Sequence, residues 1–302
     1  MNIMAAQPDK KSEVVKWNIL KICLGIAVTW VLALSTHVVM QDVLHIPYPK
    51  FYSKTGAAYF FDYSAKVLAI LCLYRLVHDK FSHLSLPVRC LLLFVLIAML
   101  NESLLRLPLM NGIVTSAWVF SLILGLPILI AHLLLACLVV ISAPRLPRVW
   151  QQILGAFLIG ALLHFLLTPV ISEHVNMLLA QVPQPRPENI ISPPYGLNVL
   201  VPAYLSFAEP VVACFILARI VWNKLSLASV KGLSLFVLLI ISMRGVLLAP
   251  FICIFYANLP PVTAMLSVGQ FSLEALVLAL MTVLSLRHSS TRVPKLGRRS
   301  ET

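Results

Sequence analysis

The segment Val88–Met110, which reads VRCLLLFVLIAMLNESLLRLPLM, decides the fold of this chain. It is long enough to cross the hydrocarbon core of a bilayer, since a spanning helix needs roughly 20 mostly apolar residues. Its second half nevertheless carries Glu102 and Arg106, which are four residues apart and are therefore predicted to share one helix face. Charged side chains at such depth are costly and typically belong to a functional site.

The composition of the whole chain agrees with a membrane solvent. Of its 302 residues, 60% are hydrophobic and only 11% are charged, whereas soluble domains carry roughly 25% charged residues. The net charge of +12 does not indicate nucleic acid, because the basic residues form no single patch. They lie in short segments between apolar runs, as they do in membrane proteins, so membrane lipid is the expected partner.

Apolar runs of spanning length recur along the chain, and they predict an all-α integral membrane protein, a bundle of eight transmembrane helices. The runs are Asn18–Met40, Gly56–Val77, Val88–Met110, Val114–Val140, Gln151–Ser172, Leu197–Trp222, Gly232–Ala257 and Val262–Leu286. Residues 1–17 form the predicted N-terminal cytoplasmic segment, residues 18–286 the helical domain, and residues 287–302 a basic cytoplasmic tail.

The connections between the runs predict the orientation. Most of the 23 Lys and Arg residues lie on one side, so both termini are expected in the cytoplasm. The run Ile19–Met40 exceeds the usual signal-peptide core of roughly 7–15 residues and is therefore interpreted as a retained helix. Short loops and the absence of a large soluble domain favour a cell inner (plasma) membrane. One Pro-rich, non-cytoplasmic loop, residues 173–196, is interpreted as a spacer or a lid.

Two runs carry polar stripes at helical spacing. The stripes are Tyr59, Asp62, Tyr63 and Lys66 in the second run, and Thr263, Ser267, Gln270 and Glu274 in the eighth. Both map to the outer halves of their helices, whereas the inner halves are almost entirely apolar. This asymmetry predicts an outward-facing polar cavity. The alternative is that Asp62 pairs with Lys66, and Glu102 with Arg106, merely to hold helices together.

The intramembrane charges do not balance, because four acids face three bases. The acids are Asp62, Glu102, Glu209 and Glu274, and the bases are Lys66, Arg106 and Arg244. Glu209 and Glu274 have no base one helix turn away, so one of them is predicted to hold a proton or to donate a hydrogen bond. Together with Gln270, these seven residues are the candidate substrate-binding or proton-linked residues.

No nucleotide-binding loop, HExxH or GxSxG motif occurs, and neither a metal nor a cofactor is predicted. The favoured function is a transporter or binder of a small or lipid-like solute. The first alternative is a non-enzymatic subunit of an assembly with other membrane proteins. The second is an intramembrane enzyme acting on a lipid-linked substrate. It is disfavoured because His37, His164 and His174 lie on different segments without a recognisable nucleophile.

Overall fold

The computed structural model describes residues 14–49, 56–115, 117–182, 195–256 and 259–293. In these ranges every regular element is helical except for one pair of short strands, β1 (Val14–Trp17) and β2 (Ser290–Val293). The α-helices are α1 Ile19–Val38, α2 Gly56–Phe81, α3 Leu86–Leu100, α4 Arg106–Thr115, α5 Trp118–Ser142, α6 Val149–Ala161, α7 Thr168–Leu179, α8 Leu197–Ser206, α9 Ala208–Val221, α10 Val230–Met243, α11 Ala249–Tyr256 and α12 Pro261–Ser289.

Several helical segments of the described ranges are long and apolar enough to cross a membrane, which makes the chain a multi-pass membrane protein. There are five: Ile19–Val43, Trp118–Arg145, Val149–Leu179, Leu197–Val221 and Pro261–Ser289. Two shorter apolar helices, α3 and α10, accompany them. Many large apolar side chains lie on the surface, as lipid contact requires; Leu24 is 64% and Phe165 is 52% exposed.

The run Val88–Met110 was predicted to be one helix, and this is wrong. α3 ends at Leu100, residues 101–105 form a turn, and α4 starts at Arg106. Pro108 explains the break. In a continuous helix its ring would clash with the carbonyl of Leu104, whereas a proline is tolerated in the first turn of a new helix. Glu102 lies within the turn and has a φ of 56°, a left-handed conformation that is rare outside glycine.

The run Gly232–Ala257 is broken in the same way. α10 ends at Met243, and α11 starts at Ala249 with Pro250 in its first turn. Gly245 lies between them with a φ of 66°, which glycine adopts without strain. The run Leu197–Trp222 is interrupted only at Phe207, between α8 and α9.

The remaining segments depart less from the predictions. The segment from Val149 continues through a π-helical stretch, Leu162–Leu167, into α7, which ends at Leu179. The first part of the predicted Pro-rich loop is therefore helical. Its residues 183–194 lie outside the described ranges, so its interpretation as a spacer or a lid stays a prediction.

The packing of the first half of the bundle, α2 to α7, recurs in the second half, which comprises α8 to α12 together with α1. The broken pair α3 and α4 packs on α5, and the broken pair α10 and α11 packs on α12. Likewise α2 packs against α6, and α9 against α1. The apolar core lies between these layers and includes the fully buried Phe207, Leu217 and Phe236. The two breaks thereby come to lie inside the bundle.

The strands join the two ends of the helical domain. β1 and β2 are antiparallel, with Val14 opposite Val293 and Trp17 opposite Ser290. The Asn18 N–H also donates to the Ser289 carbonyl at 3.0 Å. The first residue of α1 and the last residue of α12 therefore lie side by side.

Candidate functional site

The two helix breaks contact each other within the bundle. The Asn101 side-chain amide donates to the Met243 carbonyl at 3.3 Å, and the Arg244 guanidinium donates to the Glu102 carboxylate. The Arg244 side chain is only 8% exposed and the Glu102 side chain 11%. The breaks thus form a buried polar centre in an otherwise apolar protein.

A charge cluster occupies this centre. The Glu102 carboxylate forms ion pairs with both Arg106 and Arg244, and Arg244 Nη2 lies 2.6 Å from Glu274 Oε1. The predicted contact between Glu102 and Arg106 is present, but its stated reason is wrong. Glu102 is not helical, so the pair forms across the turn, and Arg244 of the other break shares the same carboxylate.

Glu209 and Glu274 were the two candidates for an acid without a basic partner; among the described residues Glu209 forms no ion pair, whereas Glu274 has two basic partners. It has Arg244 on one oxygen, and its Oε2 lies 2.5 Å from His37 Nε2. His37 Nδ1 lies 2.8 Å from Gln270 Oε1. His37 therefore supplies the base that the sequence-based count was missing, because α1 packs along α12.

The hydrogen-bond directions around His37 determine where a proton must lie. The Gln270 amide nitrogen donates to the Ser267 carbonyl at 2.6 Å, and its oxygen accepts from the Gln41 amide at 2.8 Å. Both ring nitrogens of His37 therefore face acceptor oxygens. One proton is shared between His37 Nε2 and the carboxylate of Glu274, whichever of the two holds it.

Tyr195, which precedes α8, closes this network. Its hydroxyl donates to the Gln41 side-chain oxygen at 2.8 Å. Burial raises the pKa of the Tyr195 phenol, so the group remains a neutral donor at ordinary pH. The hydrogen-bonded chain thus extends from a residue outside the apolar helices to Glu274.

The two remaining acids hold the N-termini of the half-helices that follow the breaks. The Glu209 carboxylate accepts from the backbone N–H groups of Leu104, Leu105 and Arg106 at 3.2, 2.9 and 3.0 Å. The Asp62 carboxylate accepts from the N–H of Leu248 at 2.7 Å. A helix N-terminus carries partial positive charge and unpaired N–H groups, so both carboxylates are stabilised without a basic side chain.

The alternative interpretation supposed that Lys66 pairs with Asp62, and this is wrong. Within the described ranges no ion pair within 4.0 Å joins them. The Lys66 ammonium instead donates to Asn101 Oδ1 at 2.8 Å and lies 3.3 Å from His132 Nε2. The ammonium of a lysine that is 7% exposed thus contacts neutral partners rather than the carboxylate one turn away on its own helix.

A cavity of about 410 Å³ lies beside Lys66. It is lined by Tyr63, Lys66, Asn101, Glu102, Ser103, Pro127, Ile128, Ala131, His132, Thr168 and Ser172. Among the described residues, neither His132 Nδ1 nor the Tyr63 hydroxyl has a hydrogen-bond partner. The cavity thus combines polar side chains of the first break with Lys66 of α2 and His132 of α5.

The candidate residues thus separate into three groups. Glu102, Arg106, Arg244, Gln270 and Glu274 form one cluster, Lys66 lines the cavity next to it, and Asp62 and Glu209 hold helix ends. Sequence reasoning missed the contributions of Asn101, Gln41, Tyr195 and His132. The sequence did contain a signal for the two breaks. Pro108 lies six residues after Glu102, and Pro250 lies six residues after Arg244.

The described side chains contain no group of three or more His, Cys, Asp or Glu that could hold a metal ion. No protein-family model matches the sequence, and no match is found among the curated proteins or the solved structures.

Proposed function

We propose that the chain crosses a cell inner membrane eight times, with both termini in the cytoplasm. α3 and α10, at 15 and 14 residues, extend only about 21–22 Å, less than the roughly 30 Å hydrocarbon core. Each completes its crossing with the half-helix that follows its break. The 26-residue α2 supplies the eighth crossing, in which Asp62 and Lys66 reduce the hydropathy.

The strand pair supports an even number of crossings. Because β1 and β2 hold the two ends of the helical domain side by side, both ends belong on one face of the membrane. The surplus of Lys and Arg on that side of the sequence supports the cytoplasmic face.

In this topology the protein is a transporter or binder of a small or lipid-like solute, which occupies the 410 Å³ cavity. The observation that carries this proposal is the contact of two helix breaks beside that cavity. Secondary transporters bind their substrates where discontinuous helices meet near the membrane midplane. The cavity volume also falls within the roughly 300–1,000 Å³ of ligand pockets.

The cavity faces outward in this arrangement. Thr168 and Ser172 line it from the later part of the helical segment that begins at Val149, and this segment leaves the cytoplasmic side. Alternating exposure of the cavity requires a movement of the half-helices, and the turns at residues 101–105 and 244–248 are the places where the backbone can hinge.

A thermal-shift screen of the purified protein against a panel of small solutes tests this function, because a ligand stabilises the folded state by mass action. The cavity variant is Thr168→Leu, and its matched control on the same segment is Val170→Leu, where the side chain is 47% exposed. We expect at least one solute to raise the melting temperature of the native chain and of Val170→Leu but not of Thr168→Leu. Vesicles containing the native chain should then accumulate that solute. A panel without any stabilising solute, or an equal response of both variants, contradicts the proposal.

A further inference from the structure

The two halves of the bundle contain corresponding sites, one filled by the protein's own side chains and the other open. Glu209 of the second half holds the broken pair of the first half, and Asp62 of the first half holds the broken pair of the second. Beside the first break lies the 410 Å³ cavity. Beside the second break lie the buried side chains of His37 and Glu274.

The helix positions relate the two sites residue by residue. Pro127 and Ala131 lie as far from the first residue of α5 as Gln270 and Glu274 lie from the first residue of α12. In both halves this helix packs on the broken pair. α12 therefore carries two large polar side chains at the positions where α5 has a proline and an alanine.

The helices that pack on α5 and α12, namely α7 and α1, show the same difference in side-chain size. Thr168 and Ser172 stand, to within one residue, as far from Val149 as His37 and Gln41 stand from Ile19. Small side chains thus take the positions of His37 and Gln41 in the first half. The cavity exists because four large polar side chains of the second half correspond to four smaller ones in the first.

We propose that the open site binds the carboxylate group of a small organic acid, in the position that the Glu274 carboxylate occupies in the other half. Around Glu274 this carboxylate has a histidine nitrogen on one oxygen and a cationic side chain on the other. The open site presents the same two types of side chain, because His132 and Lys66 both line the cavity and Lys66 Nζ lies 3.3 Å from His132 Nε2.

The charges in the cavity favour an anion over a cation. Lys66 is the cation that lines the cavity. Asn101 and His132 occupy two of the three hydrogens of its ammonium group, so the third is available to a ligand. Glu102 also lines the cavity, but Arg106 and Arg244 both pair with its carboxylate. Thr168 and Ser172 also line the cavity, and their hydroxyl groups are further donors. A carboxylate accepts from several such donors at once, whereas an ammonium group cannot.

This assignment rests on the proposed function and narrows its solute to one chemical class. The test uses the purified full chain at fixed pH and ionic strength, and measures the melting temperature against rising concentrations of four groups of compounds. The groups are sodium acetate, butyrate, hexanoate and benzoate; the primary amides of the same acids; butylammonium chloride; and inorganic phosphate. We expect saturable stabilisation by at least one carboxylate and none by its amide.

Three variants locate the binding. Lys66→Met removes the cation, Ala131→Leu fills the cavity without touching Lys66, and Lys231→Met removes an exposed lysine in α10 as the matched control. We expect Lys66→Met to weaken carboxylate binding about 10- to 100-fold, as the loss of one charge-assisted hydrogen bond does. Ala131→Leu should abolish it, and Lys231→Met should leave it unchanged. If Lys66→Met does not fold, Ala131→Leu alone decides.

The outcomes separate this proposal from the function on which it rests. Stabilisation by the amides, by butylammonium or by phosphate, with loss in Ala131→Leu, retains a solute-binding cavity but overturns the carboxylate class. Carboxylate binding that survives Ala131→Leu overturns the site. No stabilisation by any compound overturns the carboxylate proposal, and the broad solute panel then decides the function independently.

Discussion

At the scale of single residues, Glu274 is a buried acid held between two basic side chains. It is 1% exposed and faces Arg244 from the second break, His37 from α1, and Gln270 one turn away through that histidine. A buried acid with two basic partners is stable as a carboxylate. Replacing one member of such a cluster leaves the other charges unbalanced in a medium of low polarity.

We therefore predict that Glu274→Gln is strongly destabilising, although the glutamine side chain has nearly the same shape. Loss of one partner from a buried ion pair costs about 3–5 kcal/mol. The melting temperature of the ligand-free protein in detergent measures the effect. Glu173→Gln, at an exposed position in α7, is the matched control. A Glu274→Gln protein as stable as this control would mean that Glu274 is a neutral hydrogen-bond donor, as one of the sequence-based alternatives held.

The sequence predicted those features of single residues that are visible within one apolar run. It did not predict contacts between residues of two different runs. The intramembrane charges themselves could be found, because a charge inside an apolar run is visible in the sequence. Their partners could not be found in this way. Lys66 stands one helix turn from Asp62 yet donates to Asn101, and Glu274 pairs with His37 from the other end of the chain. Only the packing of α1 on α12 and the approach of α2 to the first break determine these choices.

At the scale of secondary structure, the half-helices α4 and α11 depend on side chains from other helices. A helix begins with N–H groups that have no partner inside it, and lipid or an apolar core supplies none. Glu209 and Asp62 supply the acceptors from α9 and α2. Each acid thereby ties one half of the bundle to the broken helix of the other half.

We predict that Glu209→Ala destabilises the protein by roughly 3 kcal/mol or more, because it deprives the N–H groups of Leu104, Leu105 and Arg106 of their acceptor, and each unsatisfied buried donor costs about 1–3 kcal/mol. Glu209→Gln should cost less, since its amide oxygen still accepts. The melting temperatures of both variants are compared with that of Glu173→Ala, an exposed control. If Glu209→Ala matches the control, water or a backbone group replaces the carboxylate and the cap is dispensable.

The helix breaks were readable in part from the sequence. Pro108 and Pro250 each exclude a continuous helix a few residues before them, at the positions where the chain turns. The hydropathy of the two runs does not reveal these breaks, because the residues on both sides of each break are apolar. Length and apolarity predict that a segment enters the membrane, whereas the prolines predict where its helix must start again.

At the scale of the whole molecule, the proposed topology has eight crossings with both ends in the cytoplasm. We predict that Gln181→Cys, in an otherwise Cys-free chain, reacts with a membrane-impermeant maleimide added outside intact cells. His83→Cys should react only after the membrane is opened. Both positions are exposed at helix ends, so access to solvent alone does not distinguish them. Labelling of His83→Cys in intact cells contradicts the topology.

The strand pair also has a consequence for the order in which the protein is made. A ribosome completes α1 long before α12, yet α1 packs chiefly on α12, and the acceptors for His37 are Gln270 and Glu274. α1 therefore stands in the bilayer with an unsatisfied polar face until α12 has been inserted. β2 can pair with β1 only after α12 has been made, because β2 directly follows that helix. A chain truncated before α12 would leave His37 of α1 without the acceptors that Gln270 and Glu274 provide.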